Sequence, residues 1–297
     1  MIKAAIVGYG NIGRYALKAL EQAEDFECVG IIRRCADAEG FPELAKYRVV
    51  SDIDELGKVD VAILTTPSRK VEENAVKYLA KGISTVDSFD IHSGIADLRA
   101  TLSPIAVENG AVSVISAGWD PGSDSVVRTL LRAMAPAGTS YTNFGPGRSM
   151  GHTVAAKAVP GVKDALSMTI PEGKGVHSRE VFIELEDGFD FNKVAEAIKS
   201  DPYFIHDKTE VKLVGSVEKI NTSAHSVNLV RDGESSATPG QHFDFNMKIN
   251  NPALTGQILV SAARAALRQK PGCYTLIEIP PVDLLPGERE SLVRELV

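Results

Sequence analysis

Val7-Gly8-Tyr9-Gly10-Asn11-Ile12-Gly13-Arg14 is the stretch that decides the fold. A short apolar run, Lys3–Val7, leads into it. After it, Ile12, Ala16, Leu17 and Leu20 recur at helical spacing across Asn11–Ala23. A strand that passes through three spaced glycines into a helix is a dinucleotide fingerprint: Gly8 makes the tight turn, Gly10 lets backbone approach a pyrophosphate, and Gly13 lets helix pack on strand. The amides of the first helical turn then face the phosphates. An NAD site usually places Asp or Glu about 20 residues further on, against the ribose 2′-hydroxyl. Here the second strand, Glu27–Arg33, ends in Arg33-Arg34. A guanidinium fork suits a 2′-phosphate, so the expected cofactor is NADP(H).

Further along, Val59–Thr65 and Ser84–Asp87 read as strands, separated by a helix from about Val71 to Lys81. Ile95–Glu108 reads as another helix and Ala111–Ser116 as another strand. This alternation predicts a Rossmann-type, doubly wound parallel sheet with helices on both faces. After Gly118 the pattern changes. Asp124–Met134 reads as an amphipathic helix, followed by strand-like runs at Ser140–Phe144, Ala165–Ile170, Glu180–Leu185, Thr209–Val214, Ser226–Leu229 and His242–Ile249 without regular crossover helices. A mostly antiparallel sheet, one face covered by helices, is expected there. Asn250-Asn251-Pro252 caps a last helix running to about Gln269. The expected domains are 1–118, completed by 270–297, and 119–269.

With 44% hydrophobic and 24% charged residues over 297, the chain has the composition of an ordinary soluble enzyme. The net charge of −7 argues against broad nucleic-acid binding. No apolar run reaches membrane-spanning length, and Met1–Gly8 has no secretory cleavage pattern. Cys28, Cys35 and Cys273 form neither a disulfide framework nor a zinc signature. A reduced, cytoplasmic setting, with no nucleic acid, membrane or metal as partner, follows as an expectation.

Ligands of open α/β sheets sit beyond the carboxyl ends of the strands. Thr65, Thr66, Pro67 and Ser68 follow one such strand; Ser88 and Phe89 follow the next. All six are candidate cofactor contacts, with Gly8, Tyr9, Gly10, Asn11, Ile12, Gly13, Arg33 and Arg34. Two carboxylates, Asp90 and Asp120, occupy the same rim, each near an aromatic ring, Phe89 and Trp119. Such a pair would orient a cationic ammonium and help remove its proton, since hydride leaves readily only from the neutral amine. Equally, each could be a loop cap. His152, in the glycine-rich Asn143–His152 segment, could relay a proton, but read alone it is more simply a loop residue bonded to backbone. Thr169 and Arg179 could hold a carboxylate; alone, Arg179 reads as a solvated charge and His225 as a satisfied polar residue.

Taken in order, VGYGNIGR (Val7–Arg14), TVDSFDIH (Thr85–His92), ISAGWDPG (Ile115–Gly122), NFGPGRSMGH (Asn143–His152), VPGV (Val159–Val162), INNPALT (Ile249–Thr255) and KPGCYT (Lys270–Thr275) resemble the meso-diaminopimelate dehydrogenase family over nearly the whole chain. The resemblance implies an NADP-dependent, homodimeric enzyme that reversibly oxidises the D-centre of meso-2,6-diaminopimelate to L-2-amino-6-oxopimelate and ammonia. It implies that Asp90 and Asp120 flank the reacting centre and that His152 assists deprotonation. Trp119, Phe144, Met150 and Gly151 would line the substrate channel, and Thr169, Arg179, His225 and Asn251 would anchor the distal L-centre. Phe144 stands where some members have Trp, and the stretch between Thr169 and Arg179 lacks a long insertion. Both departures resemble the compact branch, in which other 2-oxo acids are aminated to D-amino acids. Two other readings share the fold. A reductase of a sugar, semialdehyde or cyclic imine would want a Lys or His acid near the nicotinamide. A non-catalytic NADP-sensing regulator would need no paired acids.

Overall fold

The apolar run before the glycine turn is β1 (Ile2–Val7), buried on both faces inside a parallel sheet. The computed structural model describes residues 1–35, 38, 40–220 and 225–297. Within them the chain divides into two compact units, Met1–Thr129 with Pro252–Val297, and Leu130–Asn251.

In the first unit β1 leads to α1 (Asn11–Gln22), β2 (Phe26–Ile32), β3 (Val49–Val50), β4 (Val61–Leu64), α2 (Val71–Leu79), β5 (Ser84–Asp87), α3 (Ile95–Glu108), β6 (Val112–Val114) and α4 (Ser123–Met134). The second unit begins in the last turns of α4 and holds β7 (Ala137–Phe144), β8 (Gly147–Arg148), α5 (Met150–Lys157), β9 (Val162–Gly173), β10 (Val176–Leu185), α6 (Phe191–Lys199), β11 (Lys208–Leu213), β12 (His225–Ser235) and β13 (Thr238–Ile249). The chain then re-enters the first unit through α7 (Asn251–Ala266), β14 (Gly272–Tyr274) and α8 (Arg289–Leu296).

The first unit's seven strands run in the order β14-β6-β5-β4-β1-β2-β3, every pairing parallel. Side chains alternate across each strand. Ala4 and Ile6 therefore join one core cluster with α1 and α7, while Ala5 and Val7 join the other with α2 and α3. Here the structure departs from the expected boundaries at 118 and 270. The helix after Asn250 belongs with the nucleotide-type sheet, because Leu259, Val260, Ala262, Ala263, Ala265 and Ala266 are buried in the cluster around Ile6 and Ile31. Gly256 makes this packing close: a Cβ there would lie 2.7 Å from the Ala16 backbone nitrogen. Arg264, buried on the same helix, donates to Asp25 at 2.8 Å.

The second unit carries a four-stranded sheet, β11-β10-β9-β8, and a three-stranded antiparallel sheet, β13-β12-β7. Most pairings are antiparallel, but β10 and β11 are parallel, joined through α6. That helix, with Asp190 capping the Lys193 N–H, is a crossover the strand-like runs alone did not predict. The hairpin turn at Lys174-Gly175 sets the register that places Arg179 directly opposite Thr169.

Candidate active site

The glycine turn is a backbone surface. Gly10 precedes α1 with no side-chain cap, and no acidic residue stands in the helix's first turn. The amides there are left to meet an anion. A Cβ on Gly13 would lie 2.8 Å from the Gly8 carbonyl oxygen and 2.9 Å from Thr65 Oγ1, whereas one on Gly10 would meet nothing within 4 Å. Space for a pyrophosphate thus opens at Gly10 and closes at Gly13, as a dinucleotide requires. Thr65 spends its hydroxyl on the Gly8 carbonyl, 3.0 Å away, so it shapes the turn. Asn11 is exposed and Ile12 half-buried at the start of α1. Tyr9 packs edge-on to Phe41, with centroids 5.3 Å apart. Arg33 lies over the Phe41 ring, its guanidinium carbon 4.6 Å from the centroid, and Arg34 is exposed beside it in sequence. Phe41 carries no motif in the sequence and was not anticipated.

Beyond β5 and β6 the rim loops are tied together by Asp87. This residue is wholly buried, and its Oδ1 accepts the Phe89 N–H at 2.9 Å and the Ser116 N–H at 3.0 Å. Its backbone carbonyl accepts the Ala117 N–H at 2.7 Å. Burial outweighs these two donors and pushes the carboxyl up to about 6. One side chain therefore fixes the loop carrying Phe89 and Asp90 relative to the loop carrying Trp119 and Asp120. Asp90 itself is exposed and accepts the Ser68 hydroxyl at 2.6 Å, so these two candidates meet. Thr66 accepts the Asn74 amide at 3.4 Å, and Pro67 opens the turn before α2. Ser88 packs against Gly118, whose Cβ position would be 3.2 Å from its own. Trp119 is buried.

Asp120 sits in a closed turn held by the Gly118 N–H to Pro121 carbonyl bond, 3.1 Å. Two residues that sequence reasoning missed stand beside it. Arg128 lies 2.7 Å from Asp124 and 3.6 Å from Asp120. Asp124 is buried, and burial first, then the Asp120 charge, pushes its carboxyl up to about 6. A signal was present for one pair: Asp124 and Arg128 stand four residues apart on one helix.

In the second unit three of the candidates, Thr169, Arg179 and His152, meet in one network. Thr169 is buried on β9, and its hydroxyl accepts from Arg179 Nη1. Arg179 Nε donates to Asp207 at 2.6 Å, and His152 Nε2 is 3.6 Å from the same carboxylate oxygen. His152 is no loop residue. It lies in α5, with Nδ1 at 2.8 Å from the Ser149 hydroxyl and its ring edge-on to Phe204 at 5.1 Å. Burial first, then the Arg179 charge, holds its pKa below the ordinary 6.5, against a weaker upward pull from Asp207. The imidazole is therefore neutral at pH 7 and able to take a proton. Nor is Arg179 a solvated charge, since only 14% of its side chain is accessible. The Phe144 N–H donates to His177 Nε2 at 2.8 Å. Asp207 and His177 had no sequence signal: Asp207 meets Arg179 from 28 residues away, and His177 meets Phe144, 33 residues away, from a different sheet. A cavity of about 400 Å³ borders Arg179 along β10 and β11, but Thr169, His152 and Asp207 do not line it.

Met150 and Gly151 open α5, His225 opens β12 opposite Ile249, and Asn251 opens α7. The side chains of Met150 and His225 lie outside the described residues.

Two family models match the chain. One is described as an oxidoreductase family, NAD-binding Rossmann fold, over residues 2–86; the other as the diaminopimelic acid dehydrogenase C-terminal domain, over 118–176. The chain is 63% identical over 297 residues to the meso-diaminopimelate D-dehydrogenase of Bacteroides fragilis, covering 100% of this chain and 99% of that one. Its structure is similar to C. glutamicum DAP dehydrogenase in complex with DAP, with TM-score 0.83, 28% identity and coverage of 100% and 99%. It is also similar to an engineered D-amino acid dehydrogenase bound to NADP+, with TM-score 0.76, 27% identity and coverage of 100% and 99%.

Proposed function

Because this chain belongs to the meso-diaminopimelate D-dehydrogenase family, we propose that it oxidises the D-centre of meso-2,6-diaminopimelate with NADP+ to L-2-amino-6-oxopimelate, ammonia and NADPH, and runs the reverse amination. The 63% identity over the whole chain carries this reading. The same site aminates other 2-oxo acids to D-amino acids.

The substrate has an ammonium and a carboxylate at each end, so selection is geometric. Thr169, Arg179, His225 and Asn251 hold the distal L-centre, and Trp119, Phe144, Met150 and Gly151 line the channel. Asp90 and Asp120 orient the D-ammonium and help remove its proton; His152, expected to assist, stands instead 3.6 Å from Asp207 in the network assigned to the distal centre. Holding the far end presents one face of the D-carbon, a positioning effect worth several kcal/mol of barrier. A nicotinamide held at the strand ends would supply the hydride acceptor. Water then adds to the resulting imine, and ammonia leaves.

The cofactor is held by Gly8, Tyr9, Gly10, Asn11, Ile12 and Gly13 at the pyrophosphate, with Thr65, Thr66, Pro67, Ser68, Ser88 and Phe89 along the strand ends. Arg33 and Arg34 take the 2′-phosphate. The position of the Arg33 guanidinium over the Phe41 ring supports this, because a cation–π contact steadies the charge at the end of β2. A homodimer in the cytoplasm belongs to the same reading; among the described residues no helix is long and apolar enough to cross a membrane.

Purified protein given meso-diaminopimelate and NADP+ is expected to form NADPH; absence of turnover from neutral to alkaline pH rejects the assignment. Replacing Arg33 and Arg34 by Ala should raise KM for NADP+ about 10- to 100-fold, the range of charged hydrogen bonds. KM for NAD+ should barely move, and equal effects on both cofactors would exclude the 2′-phosphate role.

A further inference from the structure

We propose that Asp207 receives the ammonium at the distal end of the substrate, and so selects a diamino acid over a dicarboxylate with one amine. This rests on the reading above that Arg179 and Thr169 take the distal carboxylate.

Asp207 is held firmly as backbone and only partly used as side chain. Its N–H donates to the Phe204 carbonyl at 2.9 Å, and its own carbonyl accepts the Thr209 hydroxyl at 3.2 Å. The turn that fixes it also sets Phe204 and Tyr203 edge-on to His152. Of its carboxylate, Oδ2 meets Arg179 Nε at 2.6 Å. Oδ1 makes no hydrogen bond among the described residues, and 25% of the side chain is accessible. Arg179 is in the same condition. Nε and Nη1 are engaged by Asp207 and Thr169, while Nη2 makes no hydrogen bond among the described residues.

The result is a cation and an anion side by side, each with one unsatisfied polar edge. An amino-acid centre bears a carboxylate and an ammonium on a single carbon, in the complementary arrangement. Placing the carboxylate on Nη2 leaves the ammonium for Oδ1. His152 faces the other oxygen, its Nε2 lying 3.6 Å from Oδ2, and so leaves Oδ1 to the ligand. The same pair works against the wrong ligand. A distal end with a carboxylate and no ammonium leaves Oδ1 of Asp207 facing a like charge with no cation between them, and such repulsion is a source of specificity.

A strut that only steadied Arg179 would have the same contacts, so the test must separate the two roles. D-2-aminopimelate keeps the chain length, both carboxylates and the reacting amine, and lacks only the distal ammonium. Asp207→Asn keeps an acceptor for Arg179 Nε and removes the charge. For meso-diaminopimelate the substitution should lower kcat/KM about 10- to 100-fold, mainly through KM. For D-2-aminopimelate kcat/KM should hold within about threefold or rise. Equal losses on both substrates would make Asp207 a strut, and unchanged kinetics on both would remove it from the site; either overturns the proposal. Calorimetric titration of both proteins with the two ligands reads the same preference without turnover. A parent that binds the diamine more tightly than the monoamine, with the preference abolished in the variant, supports the inference even if no NADPH forms. That outcome would reject the reaction and leave the distal site standing.

Discussion

Between β1 and α1 the expected ligand contact is backbone; between α5, β9 and β10 it is side chain. The glycine turn works through atoms that are absent. Gly13 leaves room for the Gly8 carbonyl and Thr65, and Gly10 leaves room for a ligand. The second unit's network works through polar side chains drawn from separate elements: the Ser149 and Thr169 hydroxyls, the His152 ring and the Arg179–Asp207 ion pair. A backbone site is intolerant of added atoms, while a side-chain site is intolerant of lost polarity. The first tolerates almost no sequence variation, and the second can be retuned one residue at a time.

The sharpest way to break this contrast is Gly13→Val. Its Cβ would fall within 2.8 Å of a backbone oxygen, so overpacking should remove more than about 3 kcal/mol of stability in urea denaturation. Gly10→Ala is the control: nothing lies near its Cβ, so stability should hold within about 0.5 kcal/mol while cofactor affinity falls. Matching losses of stability would mean that the two glycines do not have separate jobs.

Asp87 comes next, a charged side chain inside the backbone-built unit. Its folded-state pKa of about 6 lies above the ordinary 3.8, so the folded state binds this proton more tightly. The associated stabilisation is full below pH 4 and is lost as pH rises through 6, a change of about 3 kcal/mol. Asp87→Asn keeps an acceptor for Phe89 and Ser116 and has no charge to bury. The stability difference between variant and parent should therefore shift toward the variant by about that amount between pH 4 and pH 7. A difference independent of pH would show that Asp87 carries no buried charge. A smaller effect, about tenfold in KM for the diamine or about 1.4 kcal/mol, is expected for Arg179→Lys, because one ammonium cannot reproduce the fork between Thr169 and Asp207. An unchanged KM would show that the second unit does not depend on that geometry.

What could be read in advance followed the same division. The βα alternation and the helix Ile95–Glu108 were legible because their signals are local and periodic. The glycine turn was legible because its constraints fall on neighbouring residues. The placement of α7 was not. Its alanine-rich face says that it is buried, but the approach of Gly256 to Ala16 and the pairing of Arg264 with Asp25, which say against what, join residues about 240 apart. For α6 the spacing of Val194, Ala195 and Ile198 and the Asp190 cap were available signals. Thr169 and Arg179 could be named as carboxylate holders, but Asp207, 28 residues from Arg179, could not be paired with it before the β10–β11 register was known. Long-range polar pairing leaves no period in a sequence.

The late return of the chain to its first sheet has a consequence for synthesis. The second unit lies within one continuous stretch, Leu130–Asn251, and is complete once that stretch clears the ribosome. The unit begun at Met1 must wait, with β6 open along one edge and the face over Ile6 and Ile31 uncovered, until residues 252–279 emerge to supply α7 and β14. The domain translated first is therefore the last to be finished, and its exposed apolar face during that interval is where a nascent-chain chaperone would have work to do.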